Sequence, residues 1–280
     1  MSKEPLHASH RRALDYVTSL ASGDPLDPRL RITVNFHPDR GAVLETLARD
    51  GAYYSQFVTG TSSGGLTAYP GGDRWRWEHR MFAGAYDQAP VWLRPVYGAL
   101  NFRRKSVGAA PRFGSAHLRL RADTLARSTF CYPDSHLEPT AFGVASRMSL
   151  IELAHADPTD ELDDYIEAQV HGPVHLDCDV EALVLDPSFR GTAVETAAEH
   201  LPCPLQWHPG FRADIDEIRR HPDYRGPRYV TLAAELAVDG YLDPRTIGDA
   251  TDTGRYDEQD LKKVWHYLVR FGSPAGHRPA

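Results

Sequence analysis

At 280 residues, 41% of them hydrophobic and 25% charged, the chain has the length and composition to bury a core of its own. Its net charge of -7 argues against a nucleic-acid backbone as ligand, since that needs a basic face to displace counterions; a small anion held by local arginines remains compatible. Cys131, Cys178 and Cys203 lack CxxC spacing and cannot all pair, so neither a disulfide framework nor a zinc ribbon is indicated.

Leu14, Val17, Leu20 and Ala21 recur at helical spacing and predict a helix from about His10 to Ala21. Arg31 to His37 has the β-branched and aromatic content of a strand stopped by Pro38, and Val43, Leu44, Leu47 and Ala48 predict a short helix after it. A strand is expected from Tyr53 to Thr59, then a glycine-rich loop from Thr59 to Gly65 and a second break at Pro70 to Asp73. Arg94 to Asn101, Phe113 to Leu120 and Tyr165 to Gly172 read as further strands. Helices are predicted over Asp179 to Val184, Thr192 to His200, Tyr229 to Val238 and Glu258 to Phe271, the last with Leu261, Val264, Trp265 and Leu268 on one face. No internal repeat divides the chain. The reading is one α+β domain over 1–280, with a core at about 31–190 and a helical C-terminal part at about 191–280.

The strand at Tyr165 places Glu167, Gln169 and His171 at alternate positions, so three polar groups share one face while Ile166, Ala168 and Val170 enter a core. A half-exposed antiparallel strand gives the same alternation without chemistry. Thr61, Ser62 and Ser63, among glycines, offer hydroxyls and amides suited to an anion such as a diphosphate, although the Walker and GxGxxG spacings are absent. His37, Asp39 and Arg40 follow a strand end, where side chains are held rigidly beside a cleft. No HExxH appears, and Gly60 to Gly64 does not complete a nucleophile elbow, so no metal is expected and a serine hydrolase is disfavoured. Trp207 and Phe211 flank a turn and read as a cap on the core, with a partner-docking patch as the alternative. No stretch approaches the roughly 20 apolar residues that span a bilayer, and Met1 to Arg12 lacks a signal peptide's apolar core. The expectation is a cytoplasmic resting state, with any export as an effector taking a route independent of a signal peptide.

Asn35 to Arg40, Tyr54 to Asp73, Arg94 to Leu100, Pro111 to Leu120 and Tyr165 to Gly172 together resemble a bacterial family long catalogued as of unknown function, some members of which are CteC-type ADP-ribosyltransferases that modify ubiquitin on threonine. The resemblance covers about Arg31 to Arg190. It implies a divergent ADP-ribosyltransferase fold: a split β-sheet cleft that grips NAD as co-substrate and passes ADP-ribose to a protein acceptor, with loss of nicotinamide. Glu167 is then the candidate carboxylate beneath the ribose, because cleaving the nicotinamide-ribose bond builds positive charge on the sugar. Gln169 and His171 are its neighbours, His171 being the nearest base for an acceptor hydroxyl. Arg40 or Arg94 would bind diphosphate or ribose, and His37 the adenosine ribose. Thr61, Ser62, Ser63 or Ser115 would brace the nicotinamide ribose, with Tyr97 a further cofactor-binding candidate. Such transferases commonly carry Glu-x-Glu or Gln-x-Glu with the catalytic glutamate second, whereas this chain reads Glu167-Ala-Gln169. An NAD glycohydrolase and a non-catalytic binding module are the alternatives.

Overall fold

A computed structural model describes residues 6–60 and 67–272. Helix α1 (Ala8–Leu20) is capped by the His7 ring, which accepts from the Ser9 N–H at 3.2 Å, and buries Ala13 and Val17. Strand β1 (Ile32–Phe36) and helix α2 (Val43–Asp50) follow. The strand expected over Tyr53 to Thr59 is corrected: β2 is only Ala52–Tyr53, and Gln56–Thr59 is one helical turn, α3, closed by left-handed Gly60. Helix α4 (Asp73–Met81) precedes β3 (Val96–Leu100), β4 (Ala116–Leu120), β5 (Ser128–Tyr132), β6 (Ala141–Val144), α5 (Leu150–Ala156) and β7 (Ile166–Val170). After β8 (Val174–His175), the helix expected over Asp179 to Val184 is instead strand β9 (Val180–Leu185). Its run of Val, Ala and Leu suits a strand covered on both sides, and such a run has no period that separates it from a helix. Then come α6 (Ala193–Glu199), β10 (Leu205–Trp207), β11 (Ala213–Asp214), α7 (Ile215–Arg219), α8 (Pro227–Leu236), β12 (Tyr241–Leu242), α9 (Pro244–Asp252) and α10 (Glu258–Phe271).

Eight strands form one sheet in the order β10-β9-β4-β1-β3-β7-β5-β6, with β9 and β10 parallel and the other neighbours antiparallel. Strand β7 therefore lies inside the sheet, and all five of its residues are buried, so the solvated-strand alternative does not hold. One face carries the main apolar cluster, in which Ile32, Val34, Leu118, Ile166 and Ala168 join Leu44 and Leu47 of α2 and Leu150 of α5. On the other face Ala13 and Val17 of α1 pack with Met81, Phe82 and Tyr86 over Cys131 and Val144. A separate cluster from Phe211 to Leu268 builds the C-terminal helical unit, whereas Ala198 of α6 and Leu201 belong with the sheet. Helical packing of its own thus begins about twenty residues later than the sequence suggests. Trp265 of α10 joins the layers: its indole N–H donates to the Pro111 carbonyl at 3.0 Å and its ring meets the edges of His37 and Phe211. No helix among the described residues is long and apolar enough to cross a membrane.

Candidate active site

The register of the sheet assembles the site. Glu167 stands opposite Ala99 of β3 and Cys131 of β5, and Gln169 opposite Tyr97 and Thr129. Directly opposed residues share a face, so these side chains meet on the side away from the main core. They form a chain of hydrogen bonds whose direction is fixed by counting donors. The Gln169 amide N–H₂ donates to Glu167 Oε1 at 2.9 Å, which turns Gln169 Oε1 towards Thr129 at 2.9 Å. Thr129 spends its one hydroxyl proton there, so His171 Nε2 donates to Thr129 Oγ1 at 3.2 Å. His171 Nδ1 then accepts from the Tyr86 hydroxyl at 2.5 Å. The imidazole is neutral in this arrangement, and burial, followed by the charges of His10 and Arg127, holds its pKa well below the usual histidine range. Its lone pair is occupied and the residue is 1% exposed, so no external hydroxyl reaches it.

Glu167 itself opens to a cleft of about 130 Å³. Its other oxygen accepts from Ser135 Oγ at 3.1 Å, and the Cys131 thiol lies 3.6 Å from Oε1. Burial pushes its pKa up and Asp134 adds to the rise, while Arg74 and the bonds from Gln169 and Ser135 oppose it. Arg74 comes from α4 and lines the same cleft: its guanidinium lies 4.2 Å over the Tyr97 ring and its Nε donates to Gln56 at 3.1 Å. Its Nη1 is buried without a partner among the described residues, a cationic donor of the sort that meets a phosphate or carboxylate. Asn35, Tyr53, Phe113 and Tyr165 complete a wall with aromatic surfaces and an amide. The residues present offer a ligand a cationic donor on Arg74, the aromatic faces of Tyr53, Tyr97, Phe113 and Tyr165, and the Glu167 carboxylate.

Of the predicted residues, Glu167 and Tyr97 line this cleft, and Gln169 and His171 stand behind Glu167 in the hydrogen-bond chain. Arg94 is committed elsewhere. Its guanidinium pairs with the fully buried Glu78 carboxylate, donates to the Tyr86 carbonyl at 3.2 Å and lies 4.3 Å from the Phe57 ring. Burial drives Glu78 up to about 7, with Arg94 as the largest opposing influence. His37 packs on Trp265, and burial holds its pKa well below the usual range. Arg40 lies beside Asp39, whose pKa burial raises to about 6. Ser115 is wholly buried, and its carbonyl accepts from His208 Nε2 at 2.7 Å. None of His37, Arg40 and Ser115 lines the cleft. Thr61, Ser62 and Ser63 lie outside the described residues. Trp207 sits beneath the Arg190 guanidinium at 4.1 Å and Phe211 is buried, the arrangement of a cap. Sequence reasoning missed Arg74, Glu78, Thr129, Cys131 and Ser135. The signal for the first two was Asp73-Arg-Trp-Arg-Trp-Glu78, charges set among tryptophans at helical spacing. Among the described residues no group of three or more His, Cys, Asp or Glu is placed to hold a metal ion.

The large mixed sheet and its helices define an α+β protein whose inner strand β7 presents the Glu167 carboxylate to a cleft. Residues 31–154 and 144–271 match the family described as "Protein of unknown function (DUF3626)", and the chain belongs to that family. No curated protein matches it.

Proposed function

We propose that the chain is an NAD-dependent mono-ADP-ribosyltransferase with a divergent ADP-ribosyltransferase-like cleft, transferring ADP-ribose to a hydroxyl of a protein acceptor. A threonine of ubiquitin is the first acceptor to test, on the resemblance to CteC-type enzymes. The observation that carries the reading is that Glu167 is the carboxylate among the described residues lining the cleft, facing the same space as Arg74 with its unpartnered Nη1. The inverted Glu-x-Gln order also becomes intelligible, because Glu167 reaches the cleft whereas Gln169 faces inward and holds it.

In this reaction the bond from ribose C1′ to the nicotinamide nitrogen breaks, and its electron pair stays with nicotinamide, which leaves neutral. Ionised Glu167 lies against the resulting oxocarbenium-like cation, held in place by Gln169 and Ser135 so that its charge is preorganised for it. The acceptor oxygen bonds to C1′ and its hydroxyl proton passes to Glu167 and then to water. His171 serves as a positioning residue rather than a base, keeping the hydrogen-bond chain in one direction.

The test measures nicotinamide release from NAD by wild type, Glu167→Gln and Glu167→Ala, each with and without ubiquitin, and reads ubiquitin by intact mass for an added ADP-ribose. Release should fall about 10²-fold or more in both variants, the scale of losing one preorganised electrostatic group. Glu167-dependent release indifferent to ubiquitin assigns another acceptor or water. Absence of release from every mixture overturns the proposal.

A further inference from the structure

The sheet face that carries Glu167 has a second compartment. Thr33 of β1 stands opposite Ala99 on one side and Arg119 of β4 on the other, and Asn35 stands opposite His117. The row of side chains that includes Glu167 therefore continues across β1 to Arg119. Residues 102–114 cross this face above β1 and are fastened to it. The Asn35 amide donates to the Val107 carbonyl at 3.0 Å, and Thr33 Oγ1 accepts from the Ala109 N–H at 2.8 Å. Gly108 closes the contact at φ 86°, where a Cβ would lie 2.5 Å from Asn35 Oδ1. The Glu167 cleft lies on one side of this strap and a cavity of about 240 Å³ on the other.

The second cavity is basic in an acidic protein. Arg29, Arg31, Arg104, Lys105 and Arg119 line it together with His117, and no carboxylate does. The neutralising carboxylates are too few. Asp27 is shared by Arg29 at 3.0 Å and Arg104 at 3.1 Å, and Glu181 by Arg31 at 2.7 Å and Arg119 at 3.0 Å. Lys105 reaches the Glu161 carbonyl at 3.5 Å, and the Asp164 and Glu161 carboxylates act on it from a distance. His117 is 2% exposed, yet its Nδ1 is buried with no hydrogen-bond partner. Such an unpaired polar atom in a native interior calls for an explanation, and a bound acceptor supplies one.

We propose that this cavity is a binding site for a phosphate-bearing small molecule, with Arg31, Arg119 and His117 at its floor and Arg29, Arg104 and Lys105 at its rim. Arginine forks match phosphate oxygens bidentately, and the volume admits a phosphate or diphosphate group. The site is separate from the Glu167 cleft and does not depend on NAD cleavage.

The full chain is titrated calorimetrically with inorganic phosphate, inorganic diphosphate and ADP at fixed ionic strength, with sulfate as the control anion. Arg104 adopts φ 55°, so Arg104→Gly removes a charge where glycine fits the backbone, and Arg29→Ala alters a side chain 78% exposed. The double variant Arg29→Ala/Arg104→Gly should fold normally and lose about tenfold or more in diphosphate affinity. His117→Phe should do the same, whereas Arg74→Gln, which removes the cationic donor of the Glu167 cleft, should retain full affinity. ADP binding tighter than diphosphate assigns a nucleotide, and equal binding assigns the phosphate group alone. Diphosphate and ADP no tighter than sulfate, undiminished affinity in the double variant, or loss in Arg74→Gln would each overturn the site.

Discussion

Glu167 is set by opposed influences from single residues, and those influences can be moved one at a time. Burial and Asp134 raise its pKa and Arg74 lowers it. If ionised Glu167 is the working form, nicotinamide release rises with pH through that raised pKa. Its acid limb therefore lies above the ordinary carboxylate range. Removing the opposing cation in Arg74→Gln should move the limb to higher pH, and removing the carboxylate in Asp134→Asn should move it lower; pH profiles of kcat check both. Shifts of the same sign would separate Glu167 from the limb. The positions of Glu167, Gln169 and His171 on one face were legible in the sequence, because period-2 alternation survives whatever covers the strand. Their division of labour was not, because it depends on Thr129 and Tyr86, 40 and 85 residues away from their partners Gln169 and His171. Glu78, only 16 residues from Arg94, carried a signal in its helical setting among tryptophans, but not the burial that takes Arg94 out of the cleft.

At the scale of elements, sequence and structure part where the period is ambiguous. Helix α10 is read with its boundaries intact, since Leu261, Val264, Trp265 and Leu268 give a clean 3.6-residue stripe and Asp257 caps it by accepting from Gln259 at 2.9 Å and Asp260 at 3.2 Å. Strand β9 fails because Val180, Leu183 and Val184 satisfy helical and buried-strand spacing alike. Strand β5, also unassigned, supplies both Cys131 and Thr129 and pairs with the far side of β7, with the unassigned β6 beyond it. Trp265 shows what α10 contributes beyond its own cluster, with contacts to His37 just past β1 and to the Pro111 carbonyl from a wholly buried ring. Trp265→Ala should cost about 3–5 kcal/mol in urea unfolding, the usual range for emptying a buried tryptophan site. It should also split a single transition into two by uncoupling the helical unit from the sheet. One transition with an unchanged midpoint would show that the layers hold together without it.

Across the whole molecule, the family match runs through both the sheet and the helical unit, and Trp265 of the helical unit's cluster reaches the Pro111 carbonyl and the His37 ring beside the sheet. The strap at residues 102–114 divides one sheet face between the Glu167 cleft and a basic compartment, so a chain of net charge -7 keeps a concentrated positive field in one place. Cys131, wedged between Glu167 and Gln169, has a further use. Burial raises its thiol pKa well above the usual cysteine value, and the neighbouring Glu167 adds to the rise. Cys178 is exposed and Cys203 half-buried. The three thiols thus form a built-in clock under an alkylating reagent: Cys178 should label at once, Cys203 more slowly, and Cys131 only when the strands around Glu167 separate. Peptide mass mapping of alkylation against time would then time the opening of the sheet beneath the Glu167 cleft without any introduced probe, and early labelling of Cys131 would mean that this floor breathes.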